Sequence, residues 1–242
     1  MSLFELRVSK LVPPIGRGKT LQTNAIAEDG FDYAVKAQTE HAMLPASEWF
    51  CYQLAQSVGL GCPACAVLVM PDGSRAFGSR IEVGLSNMQD DVKAGTPPDQ
   101  YLADCADRLS IAYALDLFIA NADRHFGNFL FRCNSLNQRT IMPIDYSHAW
   151  WVAGWPPADL TAAHSATTNH LKIVRALGLW RAPQALMALG TLSQISPSTL
   201  GVWLDAMPEV WLADDQKSRL LTWWGNDHFH AHVSKCVQYC QP

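Results

Sequence analysis

A chain of 242 residues is long enough for one large domain or two small lobes sharing a cleft. With 49% hydrophobic and 17% charged residues it supports a substantial core and argues against wholesale disorder. A net charge of −4 argues against a chain whose main business is gripping nucleic acid, and no run approaches the roughly 20 apolar residues of a bilayer span. The first residues lack a basic stretch leading into an apolar run, so a soluble, cytoplasmic protein is expected, with neither membrane nor direct nucleic-acid contact. Its seven cysteines, an odd number in apolar surroundings, read as reduced thiols.

In chain order, residues 4–8 alternate as a half-buried strand does. A basic glycine loop follows, with Gly16, Arg17, Gly18 and Lys19 between that strand and a hairpin of residues 21–27 and 31–37. Lys36 closes the returning strand, where it can reach under the loop to nucleotide phosphates. A helix is predicted from Pro45 to about Gly59, with Ser47 as its cap. Glu48 lies at the edge of its apolar face, where a carboxylate needs a cation, and Lys36 is the expected partner ahead of Glu40. Cys62 and Cys65 have the spacing of half a zinc site, but a core strand over residues 64–70 is the simpler reading. The next strand, residues 76–83, ends in Glu82 and Val83, candidates for backbone contact with a nucleotide base. Residues 86–100 are polar and read as a boundary, which divides the chain into 1–84 and 85–242.

Residues 101–120 carry a strong helical period that leads directly into Asn121-x-Asp123-x-His125-x-x-Asn128. A short hairpin then returns the chain to Asp145. Phosphoryl transfer needs an acceptor hydroxyl held in line and phosphate charge neutralised by metal and cations. Asp123 can orient the hydroxyl and take its proton, while Asn128 and Asp145 offer oxygen to magnesium, a hard octahedral ion. Four further helices are predicted, over residues 170–177, 183–189, 197–207 and 214–237. Trp150, Trp151 and Trp155 look exposed enough to serve binding, although core packing is the commoner fate of tryptophan.

These motifs resemble a known family. The loop Asn121-x-Asp123-x-His125-x-x-Asn128, together with Tyr33-Ala-Val-Lys36, Glu48 and Leu54-Ala-x-x-x-Gly-Leu60, is similar to HipA-like serine/threonine kinases. Asp123-Arg-His-x-x-Asn128 with Ile144-Asp-Tyr-Ser-His148 also resembles the loops of phosphoinositide lipid kinases. The similarity runs in order from about residue 15 to residue 150. It implies an α+β, two-lobed protein-kinase-like fold with a small antiparallel β-rich N-lobe and a mainly helical C-lobe. It implies ATP and Mg2+, with Asp123 as base, Asn128 and Asp145 on the metal, and Lys36 paired to Glu48. His125 would be structural or near-catalytic.

HipA-type loops commonly carry lysine just before the asparagine, where this chain has Gly127; Arg124 would compensate if it pointed inward. The metal motif is Asp-Tyr-Ser instead of Asp-Phe-Gly, and no Ala-Pro-Glu follows. The resemblance implies a protein substrate with a serine or threonine acceptor, and an antitoxin-like or other regulatory protein as partner. A phosphoinositide or small-molecule kinase, and a nucleotide-binding pseudokinase scaffold, are the alternatives.

Overall fold

The structure, a computed structural model, describes residues 4–13, 23–82, 84–85, 97, 102–135 and 138–242. Its first five strands are β1 (Glu5–Val12), β2 (Asn24–Ala27), β3 (Asp32–Lys36), β4 (Cys65–Val69) and β5 (Arg75–Arg80). They close into a barrel in the order β1-β2-β3-β5-β4. Strand alternation turns Ala25, Ala27, Tyr33, Val35, Ala66, Leu68 and Ala76 into the barrel. The interior is narrow, and small residues fill it: a Cβ added to Gly78 would lie 2.7 Å from the Leu68 side chain.

The barrel departs from the expected antiparallel sheet. Strand β1 pairs in parallel with β4, Glu5 opposite Val67 and Arg7 opposite Val69. It does so because β1 is longer than the predicted strand and serves two neighbours. Glu5–Arg7 pair with β4, Val8 to Val12 pair with β2, and a bulge between Val8 and Lys10 turns the strand from one to the other.

Between β3 and β4 runs α1 (Leu44–Ser57), with Pro45 in its first turn. It ends before Gly59, whose φ of +78° stops the helix. Ser47 is not its cap. The helix starts three residues earlier, at Leu44 with Met43 at the cap position, and the Ser47 hydroxyl donates from within it to the Ala149 carbonyl at 2.9 Å.

The rest is mainly helical: α2 (Ala106–Phe118), the hairpin β6 (Phe129–Cys133) and β7 (Arg139–Pro143), then α3 (Trp150–Ala153), α4 (Ala166–Ala176), α5 (Ala182–Ser193), α6 (Pro197–Asp205), α7 (Asp214–Trp223) and α8 (Asp227–Cys240). Residues 214–237 form two helices where the sequence suggested one. Gly225, at φ +85°, breaks the run, and Asn226 caps α8 by accepting from the Phe229 N–H. A single apolar core joins the outer faces of β4 and β5, through Val67 and Phe77, to α1, α2 and the C-terminal helices. Trp150 and Trp151 belong to it and are buried, not exposed. Among the described residues no helix is long and apolar enough to cross a membrane.

Candidate active site

The site is seated on the end of α2. Ala120 adopts φ +52°, a left-handed conformation uncommon for a residue with a Cβ, and this turns the chain out of the helix. The turn is tied back by Asn121, whose backbone N–H and side-chain Nδ2 donate to the Asp116 carbonyl and Oδ1 at 2.9 and 2.8 Å. Asp116 is wholly buried and meets an equally buried Arg124, with Nε–Oδ2 at 2.7 Å and Nη2–Oδ1 at 3.1 Å. The Arg124 Nη1 then donates to the carbonyls of Asn128 at 2.8 Å and Ile144 at 2.5 Å. Burial opposes the Arg124 charge, but the Asp116 carboxylate more than offsets it and holds the guanidinium above its ordinary value. Arg124 therefore points inward, but to brace the loop. Four of its five N–H donors go to Asp116 and two backbone carbonyls, and its side chain is fully buried, so it does not serve as a phosphate-facing cation.

Gly127 has a local cause. The His125 Nδ1 accepts from the Gly127 N–H at 3.0 Å, folding the imidazole over residue 127. A Cβ at that position would sit 2.9 Å from two atoms of the ring. The ring's place against residue 127 leaves no room for a side chain there unless His125 moves.

Asn128 donates through Nδ2 to the Asp123 carbonyl at 3.0 Å, which leaves its amide oxygen as an acceptor. The β6–β7 hairpin pairs Phe129 with Pro143, and the Ile144 N–H donates to the Asn128 carbonyl at 3.0 Å. This register brings Asp145 back beside the loop, at φ +63°, a conformation aspartate tolerates better than most residues.

From the barrel side, Lys36 reaches across 109 residues of sequence. Its Nζ donates to Asp145 Oδ1 at 2.9 Å and to the Ser147 hydroxyl at 3.0 Å, and lies 3.6 Å from Glu48 Oε1. Ser147 in turn donates to Asp145. Glu48 accepts from the Tyr146 N–H at 3.1 Å. Burial would discharge Lys36, but the Glu48 and Asp145 carboxylates outweigh it and keep the ammonium charged above its ordinary range. Asp145 is likewise opposed by burial, yet Lys36 and Ser147 hold it down to about 2. Glu48, fully enclosed, is pushed by burial up to about 7 in spite of Lys36. An ammonium held between two carboxylates and a hydroxyl is a cation held on the outer face of the barrel, beside the loop.

On the open side, Asp123 and His148 face each other, Oδ2 to Nε2 at 3.9 Å, with side chains 47% and 52% exposed. Glu82 is engaged elsewhere: its carboxylate takes Nε and Nη2 of Arg80 at 3.2 and 3.0 Å. Gly16, Arg17, Gly18, Lys19 and Val83 lie outside the described residues. Burial pushes the thiols of Cys62 and Cys65 up to about 12 and about 11. No group of three or more His, Cys, Asp or Glu side chains among the described residues is placed to hold a metal.

Sequence reasoning passed over Asp116, Ser147 and His148. For Asp116 a signal was present: it lies on the buried stripe of α2 with Leu109, Ala112 and Tyr113, and a carboxylate there demands a cation just as Glu48 does. Ser147 and His148 stood in the Asp-Tyr-Ser-His motif, but their partners are visible only in three dimensions.

No family model and no curated protein matches the chain. Among solved structures it aligns with the Helicobacter pylori proinflammatory kinase CtkA over 98% of both chains, at 15% identity and a TM-score of 0.60. The chain has a kinase fold. HipA of Shewanella oneidensis MR-1, from a complex with HipB and operator DNA, aligns at 10% identity and a TM-score of 0.49; the alignment covers 95% of this chain and 62% of that one.

Proposed function

We propose that the chain is a kinase that transfers the γ-phosphate of ATP to a hydroxyl, with a protein serine or threonine as acceptor. The observation that carries this reading is the meeting of Lys36, Glu48 and Asp145, from three distant parts of the chain, beside the Asp123–Asn128 loop on a kinase fold. In this reading residues 1–84 cover the nucleotide as one lobe and 85–242 carry the loop as the other. Lys36, kept charged by its carboxylates, takes the phosphates. Glu48 fixes Lys36 and, through the Tyr146 N–H, the segment that bears Asp145. Asp123, half exposed at the open side, accepts the proton of the acceptor hydroxyl. Glu82, Val83 and the loop of Gly16, Arg17, Gly18 and Lys19 are assigned to the nucleotide, and His125 to bracing the loop.

Asn128 and Asp145 supply two hard oxygen donors and no sulfur or nitrogen, which suits magnesium, an ion that leaves much of its octahedral shell to phosphate and water. When bound, Mg2+ supplies neutralisation of phosphate charge. Asp145 already meets the Lys36 ammonium through Oδ1 at 2.9 Å, so one carboxylate would serve both the ion and the lysine that faces the phosphates.

The test is transfer from labelled ATP with magnesium to the protein itself or to lysate proteins. Signal that vanishes in Asp123→Ala and Asp145→Ala supports the kinase. Transfer confined to lipid or small-molecule acceptors moves the reading to the second enzyme class. Tight ATP binding with no transfer under any divalent metal makes it a pseudokinase scaffold, and a regulatory protein partner then becomes the function to seek.

A further inference from the structure

Asn24 is fully buried at the start of β2, and neither its amide nitrogen nor its amide oxygen has a hydrogen-bond partner among the described residues. Asparagine is a poor strand former, and a buried amide without partners costs on the order of 1–3 kcal/mol. Such a group in a well-packed protein calls for a reason.

Its place in the sheet supplies one. Asn24 stands opposite Ala34, and Ala34 stands opposite Ser79, so the three form a row across β2, β3 and β5. Ala25, Tyr33 and Val35, their neighbours along the strands, line the barrel interior; the row therefore lies on the barrel's outer face. Lys36, two residues beyond Ala34, shares that face and points to Asp145. Ser79, the other polar member of the row, is satisfied by the Tyr52 hydroxyl at 2.8 Å. Asn24 is left with its amide N–H donors and its oxygen unpaired among the described residues. Two residues along a strand and one strand across place it about 8 Å from Lys36. At that backbone separation, on one face, both side chains can meet a single nucleotide.

We infer that the Asn24 amide reads the base of the bound nucleotide, pairing its oxygen with the 6-amino group of adenine and its nitrogen with the adjoining ring nitrogen. This rests on the nucleotide-site reading above and adds to it a residue outside the lysine, loop and metal motifs. An asparagine amide matches this donor–acceptor pair of adenine on one edge.

The test crosses Asn24→Val with ATP and with purine riboside triphosphate, which lacks only the 6-amino group, and measures Kd for each with the full-length protein. Two hydrogen bonds between neutral groups correspond to about a tenfold change. Asn24→Val should weaken ATP about tenfold and purine riboside triphosphate by clearly less, while the nucleotide-free variant melts at the same temperature as wild type or higher. Unchanged ATP affinity overturns the inference, and so does an equal loss for both nucleotides, which would show that the amide does not sense the amino group. If Asn24→Val fails to fold, Asn24→Ser carries the same expectation. Wild type that binds neither nucleotide sinks the nucleotide site itself, an outcome distinct from a bound but indifferent Asn24.

Discussion

The carboxylate of Asp116 and the guanidinium of Arg124 form an ion pair with no solvent exposure on either side, closed at 2.7 Å. It joins the last turns of α2 to the Asp123–Asn128 loop, and from Arg124 two further bonds reach Asn128 and Ile144. One cation thus fixes the backbone at Asn128 and just before Asp145, the two residues proposed to hold magnesium. Removing one partner strands the other charge in the core, at about 3–5 kcal/mol. Arg124→Met should destabilise by that amount in urea unfolding. Asp116→Leu combined with Arg124→Met should recover most of the loss of stability but little phosphotransfer, because the loop carbonyls still lack their donor.

Lys36 gives a second double test. Lys36→Met leaves Glu48 and Asp145 without their cation, and a loss of about 3 kcal/mol is expected. Adding Glu48→Gln removes one stranded carboxylate and should restore part of the stability, read from thermal melts. Activity should stay below one hundredth of wild type in both, since the phosphates then lack their lysine.

Restoring a side chain at position 127 should harm the protein. Gly127→Ala pushes on the His125 ring and breaks its bond to the 127 N–H, for about 1 kcal/mol. Gly127→Lys should do the same and leave activity no higher. In His125→Ala the added Cβ meets no ring, so the two substitutions together should cost less than their sum.

Acid should loosen the anchorage of α8. The His232 Nε2 lies 2.7 Å from the carbonyl of Phe118, at the end of α2. Burial lowers the pKa of this imidazole below its ordinary value; the Phe118 carbonyl and Asp159 resist, and Lys235 adds to the lowering. The unfolded chain therefore takes up the proton first. Stability is full above the ordinary histidine value of about 6.5 and is lost as pH falls from there toward the depressed folded value. Denaturant midpoints at pH 7.5 and pH 5.5 should differ more in wild type than in His232→Gln, whose amide can still donate to Phe118.

Much of this site was legible because its chemistry is written in short spacings. Asp123 and Asn128 are five residues apart, and a buried carboxylate on a helix, as at Glu48, asks for a cation wherever it occurs. What could not be read were the long-range choices. Nothing local says that β1 has the length to pair with both β2 and β4, since closure depends on strands some sixty residues apart. Arg124 shows the same limit from another side. A cation beside the loop aspartate reads as a phosphate ligand until Asp116, eight residues back on a buried helix face, is seen to claim it. The break between α7 and α8 was readable from Gly225-Asn226, and apolar periodicity on both sides concealed it.

The aromatic core offers a way to watch the site at work. The Trp150 ring lies 5.0 Å from Phe50 on α1 and 5.9 Å from Phe118 on α2. It sits five residues after Asp145, and α1 also carries Glu48. Any movement of α1 that adjusts the grip on Lys36 must slide Phe50 over that indole. Tryptophan emission would then report nucleotide loading in the unlabelled protein, with Phe50→Leu as the variant in which the signal fades while binding persists.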